Sequence, residues 1–146
     1  MGKGAGLRSE CSRIADLSSS GEHKPAVDAA REAEVAGVEC SPEILKAVES
    51  SSSKLHKADS YVHKAVKRRK EGNLLSARAN LDLALEIYPK YYWVQTLKKN
   101  VDRSIQAELD SLVNEASYLE SRGDPDGALS RIQDAVKLSP GDEGLR

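Results

Sequence analysis

The longest hydrophobic pattern in the chain runs from residue 94 to residue 119. Its apolar side chains are three or four residues apart, which is the spacing of one face of an α-helix. They are Val94, Leu97, Val101, Ile105, Leu109, Leu112, Ala116 and Leu119. No glycine or proline interrupts this stretch. The pattern therefore predicts one helix over residues 90–122, about 50 Å long at about 1.5 Å per residue.

A weaker apolar stripe runs over residues 42–71 and contains a run of four serines at 50–53. Serine hydroxyls compete with the helical backbone for hydrogen bonds, so the helix has a reason to kink or break at this run. The stretch 51 residues further on, at 101–104, has a helical pattern. We therefore predict a continuous but soft helix over 42–71.

Three glycines, Gly21, Gly72 and Gly123, are spaced 51 residues apart. Each follows a helix-compatible segment, and glycine adopts the left-handed conformation that commonly ends a helix. Asn73 and Asp124 come next, and their side chains suit the cap of a following helix. The helices after the glycines are expected over residues 23–37, 73–88 and 125–138.

The segments after the second and third glycines share alanine, a large aliphatic residue, alanine and proline at offsets of 5, 9, 12 and 17. These positions are Ala77, Leu81, Ala84 and Pro89 in the second copy, and Ala128, Ile132, Ala135 and Pro140 in the third. The first copy keeps alanines at Ala26 and Ala33, but Ala30 replaces the large residue and Pro42 comes late. A fixed period of this length indicates a repeat architecture, which favours a binding scaffold over an enzyme.

These patterns predict an all-α fold of about six helices in an antiparallel helix-hairpin stack, with two long helices. The expected organisation is a flexible leader at 1–5, a single domain at 6–140 with repeats at about 6–41, 42–89 and 90–140, and a tail at 141–146. Helical stacks normally end in an element with a polar outer face. The last predicted helix is amphipathic, so we expect self-association through it or a longer protein that covers it.

The glycine, alanine and proline pattern resembles the second helix of the tetratricopeptide repeat (TPR). Tyr61 and Leu112 match the large position of the first TPR helix, and Ala65 and Ala116 match its small position. The similarity covers about 6–20, 21–38, 58–89 and 109–140. The period here exceeds the family's 34 residues, which places an insertion in each first helix. The resemblance implies a stack of helix hairpins that presents a groove to peptides or partner proteins.

That groove predicts a partner site between the two long helices. The site residues are Val62, His63, Val66, Arg69 and Lys70 on one wall, and Val113, Asn114 and Ser117 on the other. Such a surface suits an extended or helical peptide of mildly acidic character. The carboxylate clamp of some TPR co-chaperones is not expected, because Asp59 and Asp110 stand where its cations belong. A co-chaperone module of another type stays an alternative.

A basic segment at residues 63–70 supports a second hypothesis, binding of nucleic acid or anionic lipid. Its cations are Lys64, Lys67, Arg68, Arg69 and Lys70. The interpretation we favour is a solvated helix C-terminus, where cations interact well with the helix dipole. With a net charge of -1 over 146 residues, the whole chain has no general attraction to nucleic acid.

Candidate chemistry for an enzyme, a metal site or a cofactor is sparse. His23, His56 and His63 form no recognisable nucleophile or metal motif, so we expect no catalysis, no metal and no cofactor. Cys11 and Cys40 are interpreted as reduced, packed thiols of a cytoplasmic protein, with a nuclear location as a variant. A single bridge between them is the alternative if the protein is exported. No apolar run is long enough to cross a membrane.

Four of the chain's six aromatic residues lie close together at Tyr88, Tyr91, Tyr92 and Trp93. We expect them to pack where the second hairpin meets the next long helix, with one or two exposed. A binding hot spot is the alternative. The long helix over 90–122 is expected to extend past its partner and expose part of its stripe, which predicts a homodimer through the long helices.

Overall fold

The protein consists of six consecutive α-helices in a computed structural model, which describes the backbone of residues 2–138 and the side chains of residues 10–138. The helices are α1 (Gly2–Ser19), α2 (His23–Val35), α3 (Pro42–Lys70), α4 (Leu74–Ile87), α5 (Tyr92–Ser121) and α6 (Pro125–Leu138). Residues 2–138 contain no β-strand. The predicted all-α class with six helices, two of them long, is confirmed. Pro140 and the expected tail lie outside the described residues.

The serine run at 50–53 does not interrupt α3, so the prediction of a continuous helix is confirmed. Ser51 is buried and its hydroxyl finds side-chain partners, whereas Ser52 and Ser53 point to solvent. Helix α1 begins at Gly2, four residues before the expected start of the domain. Most of the residues expected to form a leader are therefore helical.

The turns after α1, α3 and α5 share one backbone geometry. Gly21, Gly72 and Gly123 have φ angles of 82°, 81° and 80°, the left-handed conformation that glycine adopts without steric cost. In each turn the residue after the glycine donates its N–H to the carbonyl oxygen five residues earlier, over 2.8–2.9 Å. The side chains of Asn73 and Asp124 accept N–H bonds of 3.1 and 2.9 Å at the start of the next helix. The predicted turn chemistry is confirmed.

Each helix packs on the next one along the chain, and α1 also packs on α3. The tight turns make α4 antiparallel to the C-terminal half of α3, and α6 antiparallel to the C-terminal half of α5. The N-terminal halves of the long helices lie on the preceding helices α2 and α4. Each long helix is therefore shared between two neighbouring packing units, which accounts for its length.

The core runs through α3, α4 and α5. Ala77, Leu81 and Ala84 of α4 are fully buried, as the repeat pattern predicted. Along α5 the predicted stripe is buried or half-buried at every position from Val94 to Leu119, since α4 covers its first half and α6 its second. The expectation that part of this stripe is exposed was wrong. The argument for a homodimer through the long helices therefore loses its basis.

Candidate functional site

The two walls of the predicted groove do not face each other. Within the described residues, α3 and α5 each pack on α4 and make no extensive contact with one another. Val62 is only 4% exposed, so its side chain cannot form a docking surface, and Val66 is half-buried against the core. His63, Arg69 and Lys70 are exposed on α3. The correction has a simple cause, because α4 lies between the two long helices.

The residues of the second wall lie on two different surfaces of α5. Val113 and Ser117 line a depression of about 300 Å³ between α5 and α6. Asn114 lines a separate, open surface on α5. No residue of α3 lines either surface. The predicted eight-residue partner site is thus not one site in this structure.

The basic segment lies at the C-terminus of α3, where four cations occupy the last helical turn. The ammonium of Lys64 lies 5.3 Å from the centre of the Tyr61 ring. Arg68 donates to the Glu71 carboxylate over 3.0 Å. Cations here interact favourably with the negative end of the helix dipole. This arrangement matches the solvated helix end that we favoured from the sequence.

An apolar cleft lies between α2, in the first repeat, and the N-terminal half of α3, where the second repeat begins. We call it the α2–α3 cleft, and its apolar walls are Val27, Ala30, Ile44, Leu45 and Val48. The cleft has a volume of about 540 Å³, within the range of about 300–1,000 Å³ found for ligand sites. Leu45 is 55% exposed at its edge. None of these residues was predicted as part of a site.

The wall residues share a face on each helix because of their spacing. Val27, Ala30 and Glu34 lie three or four residues apart along α2, and Ile44 and Val48 lie four apart along α3. Ser41 holds the start of α3, since its hydroxyl accepts a 3.4 Å bond from the Ile44 N–H. The N-terminal turn that presents Ile44 and Leu45 is therefore capped.

The α2–α3 interface has a small residue where the α4–α5 interface has a large one. Ala30 occupies the position of Leu81, 51 residues later, and Leu81 is fully buried. An alanine side chain is smaller than a leucine side chain, so Ala30 leaves more of the space between α2 and α3 open. The walls differ too: Ile44, Leu45 and Val48 correspond to Gln95, Thr96 and Lys99. Apolar side chains therefore line the place where the second repeat is polar.

A disulfide between Cys11 and Cys40 fixes one end of the cleft. The interpretation of both cysteines as reduced thiols was wrong, and the bridge that we kept as the alternative is present. It ties the segment between α2 and α3 to α1, and Val38, Glu39 and Cys40 of that segment line the cleft. The end wall is thus held by a covalent bond.

Three charged side chains line the cleft, the cation Arg31 and the carboxylates Glu34 and Glu39. All three are exposed, so each can meet a partner's charge without the cost of burial. Two anions against one cation give the lining an excess of one negative charge. This excess does not suit the mildly acidic peptide expected for the predicted groove.

Beneath the cleft lies a chain of buried polar groups. His23 Nδ1 and Ser51 Oγ are 2.8 Å apart, Ser51 and Ser18 Oγ are 2.8 Å apart, and Ser18 donates to the Ala47 carbonyl over 3.0 Å. The Ser18 hydroxyl donates its hydrogen bond to the Ala47 carbonyl, so it can only accept from Ser51. Every donor in this chain then has an acceptor if His23 donates to Ser51 and Ser51 donates to Ser18. Burial, with Lys54 nearby, lowers the pKa of His23. Ser51 is 1% exposed, so this pair cannot act on a substrate.

The aromatic cluster joins the first repeat to the second. Tyr88 and Tyr91 are buried and stacked at 4.6 Å, and the Tyr88 hydroxyl accepts a 3.0 Å bond from the Lys24 N–H. The Tyr91 hydroxyl donates to Asp59, and burial raises the pKa of Tyr91 to about 12. Tyr92 and Trp93 are 57% and 50% exposed. The prediction of packing with one or two exposed rings is confirmed.

No protein-family model matches this chain, and no curated protein or solved structure is significantly similar to it. Within the described residues, no group of three or more His, Cys, Asp or Glu side chains is placed to hold a metal ion. None of the helices described is both long enough and apolar enough to cross a membrane.

Proposed function

We propose that this chain is a non-enzymatic protein-interaction module, which binds a peptide segment of a partner protein in the α2–α3 cleft. The partner inserts a leucine-sized apolar side chain beside Ala30. In this proposal the helix-hairpin stack, which resembles TPR proteins, is the scaffold. The binding surface is the α2–α3 cleft and not a groove between the long helices.

The difference between Ala30 and Leu81 is the observation that supports the proposal. In the second repeat, an intrachain leucine fills the space between two helices and is fully buried. The equivalent space beside Ala30 has apolar walls, and no side chain among residues 10–138, which the structure describes, fills it. Burial of one leucine side chain contributes about 1.5–3 kcal/mol, which is enough for an anchor in a peptide complex.

The charges around the cleft favour a neutral or basic partner segment. Glu34 and Glu39 can pair with a lysine or arginine of the partner, while Arg31 is the only cation among the lining residues. Pairs at an exposed edge contribute about 0–1 kcal/mol each, so they set preference more than affinity.

The disulfide also bears on where the protein works. Disulfides persist in oxidising compartments and are rare in the cytosol. The cytoplasmic or nuclear location expected from the sequence depended on reduced cysteines. We therefore propose an oxidising compartment, and mass spectrometry of the thiol-alkylated native protein tests this directly. Alkylation of Cys11 and Cys40 without prior reduction would contradict it.

The experiment selects a peptide library on the full chain and measures each selected peptide by fluorescence anisotropy. Ala30→Leu fills the cleft, and Ala79→Leu makes the same change at an exposed position of α4. We expect the selected peptides to contain an apolar anchor, to lose at least about tenfold affinity for Ala30→Leu, and to bind Ala79→Leu unchanged. Methyl resonances of Val27, Ile44 and Val48 should shift on binding.

Equal binding to Ala30→Leu and the parent would show that the cleft is not the site. The hypothesis of nucleic-acid or anionic-lipid binding is tested in parallel with RNA and with vesicles that contain phosphatidylserine. Changing Lys67, Arg68, Arg69 and Lys70 to Glu would abolish such binding, and rising salt would weaken it steeply. Strong, salt-sensitive binding of RNA or vesicles without any peptide ligand would replace the proposal.

A further inference from the structure

The helix α6 has a face that the other described helices, α1 to α5, leave uncovered. In the second repeat, α4 packs between the C-terminal half of α3 and the N-terminal half of α5. In the third repeat, α6 packs on the C-terminal half of α5, and no helix of the described residues covers its other side. The second repeat therefore shows what kind of element fits against α6.

Two ion pairs identify the residues of α4 that face the covering helix. Arg78 Nη1 lies 3.8 Å from Asp102 Oδ1, and Asp82 Oδ1 lies 2.5 Å from Lys98 Nζ. The Asp102 Oδ1 atom is buried and has no hydrogen-bond partner among the described residues. The nearby charge of Arg78 is therefore the main compensation for this carboxylate.

The equivalent residues of α6, 51 positions later, are Leu129 and Gln133. Leu129 is 56% exposed in the place where α4 has a cation. Ile132 is half-buried, whereas its equivalent Leu81 is fully buried beneath α5. An exposed apolar surface thus stands where the second repeat is covered and charged.

This surface continues onto α5 through the depression of about 300 Å³. Val113, Ala116, Leu129 and Ile132 supply its apolar lining, and we call it the α5–α6 face. The corresponding residues of the second repeat, Val62, Ala65, Arg78 and Leu81, are covered or ion-paired. The face is open because no equivalent helix lies over it in the described part of the chain.

We propose that the α5–α6 face binds an amphipathic helix of a partner protein, laid on α6 as the N-terminal half of α5 lies on α4. The partner helix carries aliphatic residues at the spacing of Val94, Val101 and Ile105. At the position of Asp102 it carries an apolar residue, because Leu129 offers no cation there. At the position of Lys98 the partner helix needs no cation, because α6 has Gln133 where α4 has the carboxylate of Asp82. This site is separate from the α2–α3 cleft.

The test uses three synthetic peptides based on residues 91–107 of this chain: the parent peptide, Asp102→Leu and Arg103→Leu. The Arg103→Leu peptide gains the same apolar side chain at a position that is exposed on α5, so it is the matched control. Binding to the full-length chain is measured by fluorescence anisotropy. We expect the Asp102→Leu peptide to bind several-fold more tightly than the other two, since Leu129 offers no cation to the buried Asp102 Oδ1 atom of a side chain that is otherwise 45% exposed.

A charge restored on the protein should reverse the preference. In the Leu129→Arg variant, the parent peptide gains a cation opposite Asp102, so it should bind more tightly than the Asp102→Leu peptide. Equal binding of the Asp102→Leu and Arg103→Leu peptides, or no effect of Leu129→Arg, would overturn the proposal. So would sedimentation showing a dimer that Leu129→Arg dissociates, because a second copy would then occupy the face. Ala30→Leu should leave this binding intact, which separates it from the cleft.

Discussion

The α2–α3 and α4–α5 interfaces occupy the same place in successive repeats, but one is open and the other is filled. Leu81 closes the second interface, and Ala30 leaves the first one open. The turns that precede the two interfaces are nearly identical in conformation. The turn geometry can therefore stay the same while the following helix interface differs. One side chain and the residues that face it separate a filled interface from an open cleft.

The two interfaces are also held together by different means. Cys40 of the first repeat corresponds to Tyr91 of the second, and Cys11 corresponds to Val62. The second repeat uses a buried tyrosine and apolar packing at these positions, whereas the first uses a covalent bond. The disulfide joins Cys11 of α1 to Cys40 in the segment that leads into α3.

The largest expected difference in stability is between two separate substitutions, one at Leu81 and one at Ala30. Leu81→Ala should lower the free energy of unfolding by about 2–5 kcal/mol, because it leaves a cavity in a closed core. Ala30→Leu should change it by less than about 1 kcal/mol, since the new side chain enters space that is already open. Urea denaturation measures both. Equal losses for the two variants would mean that the interfaces do not differ as described.

Removal of the disulfide should destabilise the first repeat more than the second. The cysteines are 29 residues apart, and closing a loop of that size contributes about 3.6 kcal/mol. The Cys11→Ser and Cys40→Ser double variant should lose amide protection in α1 and α2 before α4. Hydrogen exchange measures this order. Uniform loss across all helices would indicate that the chain unfolds as one cooperative unit.

The turns at Gly21 and Gly72 share one backbone geometry. Equivalent substitutions in the two turns should therefore lower the stability by similar amounts, which are smaller than the losses expected for Leu81→Ala and for removal of the disulfide. Gly21→Ala and Gly72→Ala each place a Cβ on a residue with φ near +80°, which costs about 1–2 kcal/mol. Thermal unfolding of the two variants should give similar losses. A much larger loss at one glycine would show that its turn depends on further contacts.

The smallest expected effect is on the pH dependence of stability, and it comes from His23 in the first repeat. The pKa of His23 is lowered in the folded protein by burial, so the unfolded chain binds the proton more readily. Stability from this group is therefore complete above the unfolded pKa of about 6.5 and is lost as pH falls toward the folded pKa. The His23→Gln variant should show a flatter dependence of stability on pH below 6.5. An unchanged slope would mean that other groups cause the acid sensitivity.

Local signals in the sequence were sufficient for the helices and turns. The 51-residue glycine spacing, the caps at Asn73 and Asp124 and the apolar stripe of α5 each depend on residues close together in the chain. These features follow from backbone hydrogen bonding and side-chain periodicity. The candidate site was missed, although Ala30 at the large position of the first repeat was the available signal. The predicted groove needs residues of α3 and α5 to line one surface, and α4 lies between these two helices.

The sequence by itself determined the order and the approximate bounds of the helices, and which face of each helix is apolar. Only the tertiary structure decided which helix covers which face. It placed α4 between the long helices, joined Cys11 to Cys40, left the space beside Ala30 open and left Leu129 uncovered. The physical reason is that helix formation depends on neighbours within a few residues, whereas burial depends on how whole helices pack against each other.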